Sequence, residues 1–165
     1  MAAATYRHCV NALAVIAASA FAGANLFIGA SMGAYWLSLD ALDFMIGFAP
    51  QFQVFLLTIL PLFLLTFVGL VLSVRLDWQD RALRRPWLMA IGAYAVISLI
   101  TIGFHIPENL RLLAQDYGAE EADAARLSWL LGHIPRVILA FCVAGYAFKA
   151  IKSHKNRRNQ AEHAP

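Results

Sequence analysis

His105, Glu108, Asn109, His133 and Arg136 lie in or beside apolar sequence, and as a set they can move a proton and hold an anion. Imidazole exchanges protons near neutral pH, and a guanidinium keeps its positive charge almost wherever it is placed. Trp129, His133 and Arg136 fall at i, i+4 and i+7, so one helical face carries an aromatic ring, a base and a cation. His105, Glu108 and Asn109 fall at i, i+3 and i+4 and share a second face if the helix continues through Pro107. Pro107 and Pro135 interrupt these turns and leave backbone carbonyls without donors. Asn25, deep in another apolar run, reaches a similar height. Three stretches therefore offer polar groups to one region, and a pocket opening outward is expected. An ionisable residue at membrane depth points to function by default.

Each group also has a plainer reading. Trp36 and Trp129 are most simply anchors at a membrane interface. His133 alone serves as well for a hydrogen-bonded packing residue, and Arg136 can reach back to the surface along its aliphatic stem. A guanidinium two turns into an apolar run nevertheless needs a partner, for which Glu108 is the nearest candidate. His105, His133 and Glu108 have the composition of a two-histidine, one-carboxylate iron site, a secondary reading to that of no bound metal.

The elements that must position these residues are read from composition. With 61% hydrophobic residues, 14% charged residues and a mean hydropathy of +0.63, the chain has more apolar surface than water tolerates. Apolar stretches at 9–33, 52–74, 87–106 and 128–148 are each long enough to cross a hydrocarbon core of ~30 Å as a helix. The run from Phe55 to Leu65 is apolar on all sides, which excludes the alternation of a β-barrel strand. The expected fold is an all-α, antiparallel four-helix membrane bundle forming one domain over residues 1–165.

Basic residues fall on one side of this pattern. Arg7 precedes the first stretch, Arg75, Arg81, Arg84 and Arg85 separate the second from the third, and Lys149, Lys152, Lys155, Arg157 and Arg158 follow the fourth. Segment 35–51 has Asp40 and Asp43 without Lys or Arg, and segment 107–127 has five carboxylates against Arg111 and Arg126. Both termini are thus expected to be cytoplasmic, with 149–165 a basic tail touching anionic lipid. The net charge of +3 and pI near 9.1 reflect this topology, and no patterning for a nucleic-acid partner accompanies it.

The first stretch stays apolar through Gly29 and Ala30, beyond either small-residue cleavage pattern around Ala18–Ala22, so an uncleaved span is expected rather than a signal peptide. Ser19 and Gly23, then Gly29 and Gly33, are four apart and form a seam for close helix packing, or alternatively a homo-oligomer face through Gly29 and Gly33. Cys9 and Cys142 show no metal-binding spacing. No Gly-rich phosphate loop, C-x-x-C or H-E-x-x-H is present, which removes nucleotide hydrolysis and the common soluble metalloenzyme mechanisms.

Phe104-His105-Ile106-Pro107-Glu108-Asn109-Leu110, followed by Trp129-Leu130-Leu131-Gly132-His133-Ile134-Pro135-Arg136, resembles the proline-asparagine-leucine and W-x-x-x-H-x-x-R signatures of the anthrone oxygenase-like family. These are small four-span proteins, and many bacterial members are known only as a domain of unknown function. The resemblance implies a multi-pass protein of a bacterial inner membrane that oxygenates a hydrophobic phenolic or quinonoid compound with dioxygen, using no metal or organic cofactor. It makes His133 the base, Arg136 the fixed cation, Asn109 the group orienting a substrate carbonyl and Trp129 the stacking ring. His105, Glu108 and Asn25 complete the expected substrate-binding set. Glu108, and Pro135 between His133 and Arg136, depart from the usual pattern. Two other classes fit the same residues: a membrane protein that binds a quinone or other apolar ligand without turnover, and an accessory subunit of a larger membrane complex.

Overall fold

Long apolar runs leave the backbone no outside partner, so they satisfy it internally by winding into helices. A computed structural model describes the backbone of residues 2–162 and the side chains of residues 5–153. Four helices are long and apolar enough to cross a membrane: Thr5–Leu37, Ala41–Leu76, Arg81–Leu113 and Ala119–Ser153. Each contains one of the four apolar stretches. The expected charges Lys155, Arg157 and Arg158 lie outside the described side chains.

The helices overrun the stretches that announced them. Segment 35–51, expected as an outer connection, is mostly helical and leaves only residues 38–40 as a turn. Asp40 is extended immediately ahead of Ala41, and Asp43 places a negative charge in the first turn, where the helix dipole favours it. Phe44 and Phe48 are then buried against Trp36, which binds this early part of the second helix to the core. The turn at 114–118 is also short and uses a left-handed backbone at Gln115, with φ 55°.

Short connections make consecutive helices antiparallel, and side-chain contacts show the alignment. Asp77, at the end of the second helix, meets Arg7 and Asn11 near the start of the first. Trp129, early in the fourth helix, meets Asn109 late in the third. The first and second helices pack tightly at Gly69, where an added Cβ would lie 2.9 Å from the Ala14 Cα. A core around Phe21, Leu70, Trp87, Tyr94 and Val143 fills the half of the bundle nearer the start of the first helix and the turn between the second and third. An aromatic core of Trp36, Phe44, Phe48 and Trp129, with Leu112, fills the opposite end. Outward faces are apolar too, with Leu57 79% and Leu99 70% exposed.

Two segments depart from regular α winding. Ile28–Met32 in the first helix and Thr101–His105 in the third are π-helical. The second lies just ahead of Pro107, which cannot donate to the Gly103 carbonyl, so the irregularity is taken up as a wide turn.

Candidate functional site

A cavity of about 280 Å³ lies between the helices, bordered by Ile28, Phe52, Phe55, Ile102, His105, Asn109, Trp129, His133 and Arg136 among others. The fourth helix supplies Trp129, His133 and Arg136 from one face, as their spacing requires. The third helix brings His105 and Asn109 across from them.

His133 is fully buried, and its Nε2 lies 2.9 Å from the backbone carbonyl of Asn25. A carbonyl only accepts, so Nε2 carries the proton and Nδ1 is the bare nitrogen. That Nδ1 has no protein partner. Trp129 stacks on the imidazole at 5.0 Å between centroids with a 12° tilt, and its indole N–H donates to Asn109 Oδ1 at 2.7 Å. This bond leaves the Asn109 amide nitrogen as the group able to donate to a ligand. His105 sits edge-on to Trp129 at 4.8 Å and to His133 at 5.8 Å. The Gly132 backbone is near its ring, yet neither ring nitrogen completes a hydrogen bond.

Arg136 is 8% exposed. Among the described residues the ion pairs are Arg7 with Asp77 and Arg126 with Asp123, so Arg136 has no carboxylate partner. Its Nε makes no hydrogen bond. A desolvated cation beside an aromatic-walled cavity, without a counter-charge of its own, is arranged to receive an anion or a strong acceptor from outside the chain.

Five of the sequence-derived residues therefore meet at the cavity: His105, Asn109, Trp129, His133 and Arg136. Glu108 does not. It accepts from the Tyr117 hydroxyl at 2.6 Å and pairs with neither Arg136 nor the histidines. Among the described residues no group of three or more His, Cys, Asp or Glu side chains is placed to hold a metal ion, so the iron-ligand set His105, His133 and Glu108 does not assemble. Asn25 contributes its main chain, while its side-chain amide is turned to the Phe21 carbonyl at 2.8 Å.

The interfacial reading of the tryptophans is also corrected. Trp36 is 1% and Trp129 5% exposed, because each indole N–H finds an internal acceptor, Gln51 at 2.6 Å for Trp36 and Asn109 for Trp129. Of the seam glycines, two face the fourth helix of the same chain: a Cβ on Gly29 would lie 3.0 Å from His133 Cδ2 and one on Gly33 would lie 3.0 Å from Leu130 Cδ2, whereas one on Gly23 would meet nothing within 4 Å.

Three features escaped the sequence reading. The second helix forms a whole wall of the cavity, signalled by Phe48, Phe52 and Phe55 at three- and four-residue spacing. Arg126, counted as a loop charge, donates to the Trp36 and Leu39 carbonyls at 2.7 and 2.6 Å and so ties the fourth helix to the end of the first. Buried Asp77 gathers Arg7, Asn11 at 3.2 Å and the Trp87 indole at 2.7 Å.

Tyr117 closes the turn above the site, and its phenol is pushed up to about 12, first by burial and then by its hydrogen bond to Glu108. The folded state holds this proton more tightly than the unfolded one, so the contribution is complete below pH 10 and is lost as the pH rises toward 12. Absorbance titration is expected to show a tyrosine ionising near pH 12 that Tyr117→Phe removes. Disappearance of no such step in the variant would contradict this.

No family model matches the chain, and neither does any curated protein or solved structure.

Proposed function

We propose that the chain is a multi-pass protein of a bacterial inner membrane, with both termini cytoplasmic, that oxygenates a hydrophobic phenolic or quinonoid compound in the manner of anthrone oxygenases. One observation carries this reading. An unpaired buried guanidinium and a histidine with a bare Nδ1 border the same aromatic-walled cavity. The resemblance of the segments around Asn109 and Trp129–Arg136 to that family supports it, and the apolar outward faces support membrane insertion.

The chemistry follows from the roles available. His133 Nδ1 takes a proton from a ring carbon activated by a carbonyl, and Arg136 holds the resulting enolate charge. The carbanion reduces dioxygen and bonds to it as a hydroperoxide. Loss of water then leaves a second ring carbonyl, so one oxygen atom enters the product and the other leaves in water. The Asn109 amide donates to the substrate carbonyl, and the aromatic walls hold the rings.

The test is oxygen uptake by purified protein with a simple anthrone, with metal content measured on the same sample. Uptake above background that His133→Ala and Arg136→Ala both abolish supports the assignment. Uptake no faster than the uncatalysed reaction sinks it and moves the weight to binding without turnover. For orientation, a membrane-impermeant thiol reagent is expected to label Asp116→Cys from outside the cell and to spare Gln79→Cys; the reverse pattern would invert the topology.

Gly29 gives a sharper check on His133. Gly29→Ala places a methyl 3.0 Å from His133 Cδ2, which displaces the ring from the Asn25 carbonyl. Uptake is expected to fall on the order of tenfold, as small misplacements of a catalytic group do. Gly23→Ala, whose Cβ meets nothing within 4 Å, is expected to leave uptake unchanged. Equal activity in the two variants would remove His133 from the mechanism.

A further inference from the structure

The cavity walls differ in exposure in a way that marks its entrance. Trp36, Trp129, His133 and Arg136, from the first and fourth helices, are buried. On the second helix Leu56 and Leu60 are 44% and 46% exposed, and on the third helix Ile102 and Ile106 are 64% and 44% exposed. The second helix packs closely on the first and only loosely on the third and fourth. The mouth therefore lies on the side of the bundle, between the second and third helices.

The end of the bundle offers no such opening. There Trp36, Phe44, Leu112 and Ala125 are buried together, and Arg126 binds the Trp36 and Leu39 carbonyls. The outward-opening pocket expected from sequence is thus replaced by one that opens sideways. The aromatic cluster fills the end route.

The side mouth carries no charged group, and its polar lining residues on the third helix, Ser98 and Thr101, turn their hydroxyls to the Tyr94 and Ile97 carbonyls. The second helix carries no charged residue from Phe44 to Val74, and the third carries none from Trp87 to Phe104. Pro61, next to Leu60, has no N–H for the Leu57 carbonyl, so the wall lacks an internal backbone bond beside the mouth. A charged or strongly hydrated solute gains nothing at such an entrance, whereas a molecule already dissolved in hydrocarbon reaches it without crossing water. Inside, Arg136 requires that the molecule carry an anionic or strongly accepting oxygen.

We propose that the ligand, a flat aromatic molecule with one acidic or carbonyl oxygen, enters laterally from the bilayer through the Leu56/Leu60 and Ile102/Ile106 gap, oxygen first toward Arg136. This rests on the membrane-embedded, phenol- or quinone-binding reading above. The probe is 1-hydroxyanthraquinone, an unreactive planar compound, and its binding to protein in lipid nanodiscs is followed by tryptophan quenching in stopped flow.

Leu60→Trp with Ile106→Trp narrows the mouth and is expected to slow association and dissociation together by about tenfold or more. Leu60→Ala with Ile106→Ala widens it and is expected to speed both, which keeps the test decisive if the bulky pair fails to fold. Rates unchanged in the variants while the wild type binds would overturn lateral entry alone. An absence of binding by the wild type would overturn the site reading and this proposal with it. A phospholipid retained in the cavity and not displaced by the probe would make an acyl chain the occupant and would also overturn it.

Discussion

Arg136→Leu is expected to make the ligand-free protein more stable while removing its capacity to bind an oxygen-bearing aromatic ligand. The guanidinium is buried, has no carboxylate partner and leaves Nε without a hydrogen bond. Holding such a charge out of water costs several kcal/mol, and apolar replacement of buried ionic groups is commonly stabilising by about 1–4 kcal/mol. Binding responds in the opposite sense. Removing the cation that faces a desolvated acceptor costs about 2–5 kcal/mol of affinity, roughly thirtyfold to several thousandfold. Thermal unfolding in detergent and titration with 1-hydroxyanthraquinone read the two effects separately. Arg136→Lys keeps the charge but not the planar fork and is expected to fall between wild type and leucine in affinity. A leucine variant that melts earlier and still binds would show that Arg136 holds the helices together and leaves the ligand alone.

The second large effect lies at the other end of the bundle. Asp77→Ala is expected to lower the melting temperature on the order of 10 °C. Its buried carboxylate receives Arg7, the Asn11 amide and the Trp87 indole, which belong to the first and third helices, so one side chain joins three helices. Removing it strands three donors, and breaking a buried pair from one side costs roughly 3 kcal/mol here, discounted because Arg7 is 30% exposed. Asp77→Asn keeps an acceptor and is expected to lose less. Since Asp77 borders no part of the cavity, oxygen uptake by the folded fraction is expected to stay unchanged. An alanine variant that melts with the wild type would assign the joint to packing alone.

The existence of four helices was legible because long apolar runs leave few alternatives. The shared face of Trp129, His133 and Arg136 was legible because a regular helix relates residues three and four apart. Their meeting with His105 and Asn109 was an inference from depth, and depth does not resolve direction. Glu108 shows the cost: it stands one residue from Asn109, yet Tyr117 from the following turn captures it away from Arg136. Trp36 and Trp129 were misread because a tryptophan near the end of an apolar run has the same sequence whether its N–H meets water or a buried amide. The second-helix wall was masked by uniformity, since on a helix apolar on every side only the spacing of Phe48, Phe52 and Phe55 marks the inward face. Asp77 was hidden by the opposite circumstance. A carboxylate in a short charged connection reads as solvated until three donors from elsewhere surround it.

The wide turn at Thr101–His105 sets the phase of everything that follows it. An α-helix advances about 100° per residue, so a turn holding one residue more rotates the far part of the same helix against the near part. The near part of the third helix directs Trp87, Tyr94 and Ile97 into one core, and the far part directs His105 and Asn109 into the cavity. Both orientations depend on the residue count between them. Adding or removing a single residue in this stretch is therefore expected to change which side chains the cavity receives.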